Sequence, residues 1–467
     1  MIPTPMTALV DHDTHPEHVE ALPPKSRGFE SAGWWRTAGC LLVVSVVVYS
    51  ILRLEDGTTS RHAASVAVLI AFVWLPFLRW STQAARAMPL AFGPFSVAAA
   101  SAALGFVATS AIAFLIPALD VRPVNLVAIA VITFALSAVW EASVRRAALA
   151  PDRVLLVGGG ESAAELIEDV RRESQRFRIV GVVVDDRGMP LGEASPYVVS
   201  SLGDAIETLA PNLVVVAVDR GRPEVFQRLL DSAYEDFRMV GLPEFYEVAF
   251  GKLPVRELTP AWFMSTLHLY NRPYNRSAKR AFDFVAASIG MLAALPVLPL
   301  IALLVKLTPG PLLYKQTRLG EHGREFTILK FRSMRPEAEK DGDARWAAHD
   351  DPRIIPGGRL LRKARLDEIP QLWNVLRGDM SIVGPRPERP EFMARLEEDV
   401  PFWSQRLLTR PGITGWAQVS AAYSFDELGA EEKLAYDLWY LRHRSLALDT
   451  VICLKTVTTM LTGAGAR

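Results

Sequence analysis

Four long apolar runs near the start of the chain constrain this fold more than any other feature. They cover about Trp34–Leu52, His62–Trp80, Leu90–Ile116 and Val124–Trp140. Each fits the roughly 17–25 residues a helix needs to cross a hydrocarbon core. The whole of 34–140 carries nine charges: Arg36, Arg53, Glu55, Asp56, Arg61, Arg79, Arg86, Asp120 and Arg122. The full 467 residues hold 51 Lys+Arg and 51 Asp+Glu, so nearly all the charge lies elsewhere. Trp34, Trp35, Trp80 and Trp140 stand at the run ends, where interfacial aromatics belong. A buried bundle of a soluble protein is the weaker reading, because the gaps between runs are wet and charged.

Lysine and arginine in the short connections set an orientation. Lys25, Arg27, Arg36, Arg79, Arg86, Arg145, Arg146 and Arg153 fall on one side, and Arg53, Arg61 and Arg122 on the other. The N-terminus and everything after Trp140 are therefore expected in the cytoplasm. Residues 1–33 are polar and Pro-rich without an apolar core, which reads as a disordered cytoplasmic tail and not a signal peptide. His12, His15 and His18 belong to that tail and read as solvated. A formal net charge of zero argues against a nucleic-acid binder. Cys40 and Cys453 are too few for a disulfide framework.

A second region begins near residue 151. The apolar run Arg153–Val157 meets Gly158-Gly159-Gly160 and then a helical pattern to about Glu173. Strands follow at Ile179–Val184, ending in Asp185-Asp186, and at Leu213–Val218, with a further helix over Pro223–Asp236. Strand–glycine–helix–strand repetition predicts a parallel, Rossmann-like α/β domain over 151–265. Gly158 and Gly160 are candidate residues of a nucleotide loop, since glycines at such a turn let backbone approach a phosphate. The same glycines also serve tight packing between strand and helix, and the sequence leaves both readings open.

The C-terminal part opens with Ala281–Val305, a 25-residue apolar run whose one charge is Asp283. Pro296 and Pro299 fall at its middle and kink a helix there. A straight fifth span would move the rest of the chain outside, whereas a kinked helix can enter and leave on one face. Lys306 to Arg395 then holds 18 Lys/Arg against 13 Asp/Glu. Arg359, Arg362 and Arg365 recur every third residue, so they are expected on one helical face able to hold phosphate oxygens. Asp367 and Glu368 follow, and Pro370 favours a new helix start. An Asp there near arginines is expected to stay ionised, fit to be a nucleophile or a Mg2+ ligand, with Glu368 as second ligand or base. The structural alternative makes Asp367 a helix cap and Glu368 a surface partner of the arginines.

Longer strings then carry a resemblance. They are Lys330-Phe331-Arg332-Ser333-Met334, Leu366-Asp367-Glu368-Ile369-Pro370-Gln371-Leu372-Trp373-Asn374, Gly378-Asp379-Met380-Ser381, Gly384-Pro385-Arg386-Pro387 and Arg410-Pro411-Gly412-Ile413-Thr414-Gly415. In this order they resemble the bacterial sugar transferases, the polyprenyl-phosphate hexose-1-phosphate transferases. The four apolar runs and the α/β region resemble the longer members of that family. The resemblance implies a membrane protein of mixed class: four transmembrane helices over 34–140, the Rossmann-like domain, and a mainly α catalytic domain over 275–467. It implies a re-entrant helix at about 281–305 and a place in the bacterial inner membrane.

For activity, the resemblance implies transfer of a hexose 1-phosphate from a UDP-sugar to undecaprenyl phosphate, releasing UMP, as the first membrane step of exopolysaccharide or capsule synthesis. Asp367 is implied as nucleophile and Glu368 as helper, the two together as Mg2+ ligands. Arg386, Arg362, Lys330, Arg332 and Arg318 are implied as phosphate contacts or their supports. Asp437, in Tyr436-Asp437-Leu438-Trp439-Tyr440, matches a family acid without an assigned role. Membrane lipid, a second copy of the chain and polysaccharide assembly proteins are candidate partners, and glucose is the first expectation for the sugar. After Gly415-Trp416-Ala417-Gln418-Val419 the chain departs from relatives by reading Ser420-Ala421-Ala422-Tyr423.

Overall fold

Each of the four apolar runs is a helix. In the computed structural model they are α1 (Gly28–Arg53), α2 (Ser60–Ala87), α3 (Pro94–Leu115) and α4 (Pro123–Ala147). The structure describes 28–54, 59–87, 94–116, 119, 121–147, 151–159, 161–173, 177–183, 198–199, 202–217, 237–258, 275–335, 353–421 and 427–462. Residues 1–27 of the N-terminal tail, Gly160, Asp185-Asp186 and the helix expected over 223–236 lie outside these residues, whereas 28–33, expected as tail, open α1.

α1 packs on α2 and α4, and α3 on α2 and α4, so the four close into a bundle. Val44, Val48, Leu52, Val66, Ile70 and Ile129 fill its centre. Trp74 lies flat on Gly105, where a side chain would collide with the ring, and its indole N–H donates to Thr109 Oγ1 at 2.8 Å. The outer face is apolar too: Phe72, Val107, Phe114, Val127 and Val131 are exposed. Over the described residues no single helix is long and apolar enough to cross a membrane.

The second region is a five-stranded parallel sheet in the order β3-β2-β1-β4-β5. Its strands are β1 (Asp152–Val157), β2 (Phe177–Val183), β3 (Val198–Val199), β4 (Leu213–Val216) and β5 (Arg238–Gly241). The central strands β1 and β4 are almost wholly buried, as the near-continuous Val/Leu runs require when both faces are covered. α5 (Glu161–Glu173) buries Ala163, Leu166, Ile167 and Val170 on one face, and α6 (Leu202–Leu209) puts Ala205 and Ile206 on the other.

The C-terminal region starts with a broken helix. Asn275 caps Arg276–Ala294 by accepting from the Ala278 N–H at 3.0 Å. A turn at Leu295–Val297 bends the axis by 65° into Leu298–Lys306. Nine residues of helix rise only about 14 Å, about half a hydrocarbon core. Leu292, Leu295, Leu300, Leu303 and Leu307 are exposed around the bend.

Both ends of this hairpin are tied to the same body. At the entry, Asp283 Oδ1 accepts from Ser381 Oγ at 3.0 Å and the Ile382 N–H at 3.1 Å. Lys279 Nζ bridges Asp283 and Asp449 at 3.0 and 2.9 Å. At the exit, the buried Arg332 guanidinium donates to the carbonyls of Val305, Thr308 and Pro311 at 3.0, 2.9 and 2.7 Å. The kink expected from Pro296 and Pro299 is present, and the one acidic residue of the run is its anchor.

Beyond the hairpin stand an antiparallel pair, β6 (Leu313–Leu319) with β7 (Glu325–Phe331), and a short parallel pair, β8 (Ser381–Val383) with β9 (Gly412–Thr414). Helices Glu427–His443 and Leu446–Thr462 close the fold. Trp403, Trp416, Trp439 and Tyr440 are all buried in the main core, so none is an interfacial anchor. The last helix buries Leu448, Val451 and Ile452 and exposes Val457 and Met460.

Candidate active site

The dyad is held in a single 3-10 turn, Leu366–Glu368, between helices Gly358–Lys363 and Gln371–Arg377. The expected arginine face is shorter than the spacing suggested. The helix ends after Lys363, and Arg365 takes a left-handed backbone, φ 53°, leaving the face of Arg359 and Arg362. Such a conformation is costly for a non-glycine residue and is held here directly before the dyad. Pro370 caps the second helix as expected, and Asp367 makes no cap bond. The cap reading of Asp367 therefore has no counterpart in the structure.

Asp367 and Glu368 are each only 8% exposed. Lys330, from the end of β7, places Nζ 3.0 Å from Glu368 Oε1. Arg386 Nη2 reaches the same oxygen at 3.1 Å. Glu368 Oε2 is buried with no hydrogen-bond partner. Burial opposes ionisation of Glu368, but Lys330 and Arg386 outweigh it and hold this carboxyl well below its usual range. For Asp367, burial and then the Glu368 charge win over Lys330, Arg362 and Arg386, pushing it up to about 6. Two adjacent carboxylates are thus driven apart, one always charged and one titrating near neutrality, which marks many reactive sites.

Around the dyad, the strings that carry the resemblance have physical roles. Asn374 is fully buried, accepts from the Leu329 N–H at 3.1 Å and donates to the Thr327 carbonyl at 2.8 Å. It locks the strand that carries Lys330 to the helix that follows the dyad. Gly378, at φ 96°, ends that helix and turns the chain into β8. The Arg386 loop lies against the loop around Pro411. Gly384 N–H donates to the Thr414 carbonyl and Gly412 N–H to the Pro385 carbonyl, at 2.9 and 2.8 Å. A Cβ on Gly384 or Gly412 would collide with the opposite backbone, so glycine is the residue that permits this crossing.

The other expected contacts divide. Arg362 acts electrostatically on Asp367 and belongs with the dyad. Arg318 donates to the Pro387 carbonyl at 3.1 Å and to Gln316 at 2.6 Å, so it braces the Arg386 loop. Arg332, three per cent exposed, is spent on the hairpin carbonyls. That sets it apart from the expected phosphate contacts: it stands one residue past the end of β7 and braces the hairpin, while Lys330, inside the strand, reaches Glu368. Asp437 is buried against Arg406 at 2.7 Å, and Arg406 reaches Glu388 at 3.3 Å beside the Arg386 loop. Sequence reasoning gave no function to Asn374, Asp283 or Gln371; the last is buried with an unpartnered amide nitrogen.

The dyad also meets part of what Mg2+ asks for. Mg2+ takes hard oxygens, commonly one or two carboxylates plus substrate phosphates and water. Glu368 Oε2 is an unpartnered buried acceptor and Asp367 is adjacent. Among the described residues no cluster of three or more acidic, His or Cys side chains offers an all-protein cage.

The loop after β1 is arranged differently. A Cβ on Gly158, φ 137°, would strike the Ala217 carbonyl, so packing requires glycine here. Ser162 Oγ, in the first turn of α5, donates to the Glu257 carboxylate. Arg256 joins Glu161 and Glu165, each at 3.2 Å, to Glu431 of helix Glu427–His443 at 3.0 Å.

The family model described as bacterial sugar transferase matches residues 274–463. A UDP-N-acetylgalactosamine-undecaprenyl-phosphate N-acetylgalactosaminephosphotransferase of Aeromonas hydrophila is 44% identical over 190 residues, 40% of this chain and 45% of that protein. An undecaprenyl-phosphate glucose phosphotransferase of Komagataeibacter xylinus is 34% identical over 319 residues, 65% of this chain and 58% of that protein. A UDP-glucose:undecaprenyl-phosphate glucose-1-phosphate transferase of Caulobacter vibrioides is 43% identical over 188 residues, 39% of this chain and 70% of that protein. The chain belongs to the bacterial sugar transferase family. Its matches span about half the length of the first two relatives.

Proposed function

We propose that this protein transfers a hexose 1-phosphate from a UDP-sugar to undecaprenyl phosphate, releasing UMP. The observation that carries the reading is the buried Asp367–Glu368 pair, with Lys330 and Arg386 both set on one Glu368 oxygen. The activities named for the three relatives agree in reaction and name two sugars, glucose for two of them and N-acetylgalactosamine for the third.

Asp367, ionised above about pH 6, attacks the sugar-bearing phosphorus of the donor. The bond from that phosphorus to the UMP oxygen breaks, and an aspartyl phosphosugar forms. Undecaprenyl phosphate then attacks the same phosphorus, and the Asp367 carboxylate leaves. Arg386 and Arg362 offset charge on the phosphoryl oxygens, while Lys330 holds Glu368 ionised. Asp367 and Glu368 would hold Mg2+, which when bound supplies a Lewis acid for the phosphate oxygens.

We place the hairpin Arg276–Lys306 in the bilayer as a re-entrant element and α1–α4 as a multi-pass anchor of the inner membrane. Support comes from the 65° bend, the exposed leucines around it and the anchoring of both hairpin ends to one body. That topology keeps the dyad with cytoplasmic donors and at the surface where a lipid phosphate resides. The test is a UMP-release screen of the purified full chain with undecaprenyl phosphate, Mg2+ and a panel of UDP-sugars. Lipid-dependent release is expected with at least one sugar, and release with none overturns the reading.

A further inference from the structure

Gln371 stands one turn beyond the dyad, and neither the fold nor the mechanism above uses it. The backbone is helical without a break from Leu366 to Arg377, because Ile369 and Pro370 keep right-handed helical angles between the 3-10 turn and the helix that follows. The Leu372 and Trp373 N–H groups donate across the join to the carbonyls of Ile369 and Pro370, at 3.0 and 3.1 Å. Residues three and four apart share a face of such a run, so Gln371 falls in line with Asp367 and Glu368. Side chains on a helix lean toward its N-terminus, which carries the Gln371 amide back toward the two carboxylates. Asn374, three residues further, shows which way this face is turned: it bonds the Thr327 carbonyl and the Leu329 N–H of β7. The same strand brings Lys330 to Glu368. Gln371 therefore lies on the run between the Asn374 lock and the dyad.

Its surroundings leave a donor unused. Gln371 is 2% exposed, and its amide nitrogen is buried with no hydrogen-bond partner. Buried side-chain donors are ordinarily satisfied, because one left unpaired costs stability. One turn away, Glu368 Oε2 is a buried acceptor that is also unpartnered, so the two are not bonded to each other. An acceptor suited to a cation and a donor suited to a phosphate oxygen thus share a face with the nucleophile. In displacement at phosphorus, charge is spread over three equatorial oxygens, and a donor fixed beforehand stabilises it. We propose that the Gln371 amide N–H donates to an equatorial oxygen of the phosphoryl group as that group moves onto and off Asp367, which makes Gln371 a catalytic residue of both half-reactions. This rests on the two-step reading of the dyad and adds a neutral donor to its cations.

The experiment uses the full chain in detergent and two variants that remove the amide, Gln371→Met and Gln371→Leu. UMP release without lipid follows the first half-reaction, and a chase of the loaded protein with a short-chain polyprenyl phosphate follows the second. Each variant is expected to slow both steps by about 10- to 100-fold, as for one lost hydrogen bond to a charged group. The inhibition constant of UMP should stay at its wild-type value, because the leaving phosphate is not the one Gln371 holds. Thermal melts of ligand-free Gln371→Met should be no lower than those of the wild type, since the change removes an unpaired buried donor. Wild-type rates in both variants overturn the proposal. Slowing of one step alone, or slowing matched by a lower melting temperature, overturns it too, the latter by making Gln371 a packing residue. Weaker inhibition by UMP would move the contact to the leaving nucleotide and equally overturn it. If one variant fails to fold, the other decides. Wild-type protein that releases no UMP from any donor would instead sink the enzymatic reading. Binding of a UDP-sugar to Asp367→Asn, expected to weaken severalfold when Gln371→Met is added, still tests the contact in that case.

Discussion

The loop after β1 and the turn that bears the dyad both join glycines to a knot of charges, yet the two knots are built on opposite plans. Around α5 the charges pair off at the surface: Arg256, about half exposed, answers Glu161, Glu165 and Glu431. Around Glu368 the carboxylates and Lys330 lie mostly inside and Arg386 reaches in from the surface, and the sharing is uneven, with two cations on one oxygen and nothing on the other. A compensated surface cluster is worth little energy and performs no chemistry, so it reads as a clasp between the sheet domain and helix Glu427–His443. Two adjacent buried carboxylates are expensive to keep ionised, and that cost shows in the pKa of Asp367.

The sharpest way to break this contrast is to remove the nucleophile. Asp367→Asn should lower sugar 1-phosphate transfer by about 10³-fold or more in a membrane assay. The same change should raise stability at pH 8. Asp367 has its folded pKa raised from 3.8 to about 6, so its ionised form costs the folded state up to about 3 kcal/mol above pH 6. The gain should fade as pH falls through 6 and vanish below about 4, where the wild-type carboxyl is protonated in both states. Thermal melts at pH 8 and pH 4 read it; equal shifts at both would break the link between burial and reactivity.

Next in size is Asp437→Ala. It leaves Arg406 buried without its strongest partner and should cost about 3–5 kcal/mol in denaturant unfolding. Arg386→Ala keeps the fold but should lower kcat/KM by roughly 10–100-fold, as expected for a lost charge-assisted contact at a phosphate. A pH profile of kcat/KM in the wild type should rise as one ionisation near 6 and follow Asp367. Smallest of all, Arg256→Ala should cost at most about 1 kcal/mol and leave kcat/KM unchanged, since its partners are solvated. A loss of activity in that variant would mean the clasp does more than hold.

Much of this was legible in the sequence, and for identifiable reasons. Long apolar runs become helices because their own composition decides it, and the order of the β1–α5–β2 units follows from local pattern. Asp367, Glu368, Lys330 and Arg386 stand in extended strings that resemble one family, so they were found together. What sequence did not give depends on partners far along the chain. Lys330 and Arg332 look interchangeable in a row, but Lys330 lies inside β7 and reaches the dyad, while Arg332 lies just past the strand end and is taken up by the hairpin carbonyls. Asp283 read as a stray charge until Ser381 and Lys279 were beside it. Helical spacing placed Arg365 with Arg359 and Arg362, and a single left-handed residue undid that. Gly158 fitted a phosphate loop in pattern, and only the Ala217 carbonyl shows what the missing side chain makes room for.

The most direct test of the central claim, that Asp367 carries the sugar phosphate between donor and lipid, leaves the lipid out. Full-length protein mixed with the preferred UDP-sugar and Mg2+, but no acceptor, should release a burst of about one UMP per active chain. Intact-mass analysis should find a hexose phosphate added to the wild type and absent from Asp367→Asn. UMP release that begins only when polyprenyl phosphate is supplied, with no mass added to the protein, would contradict it.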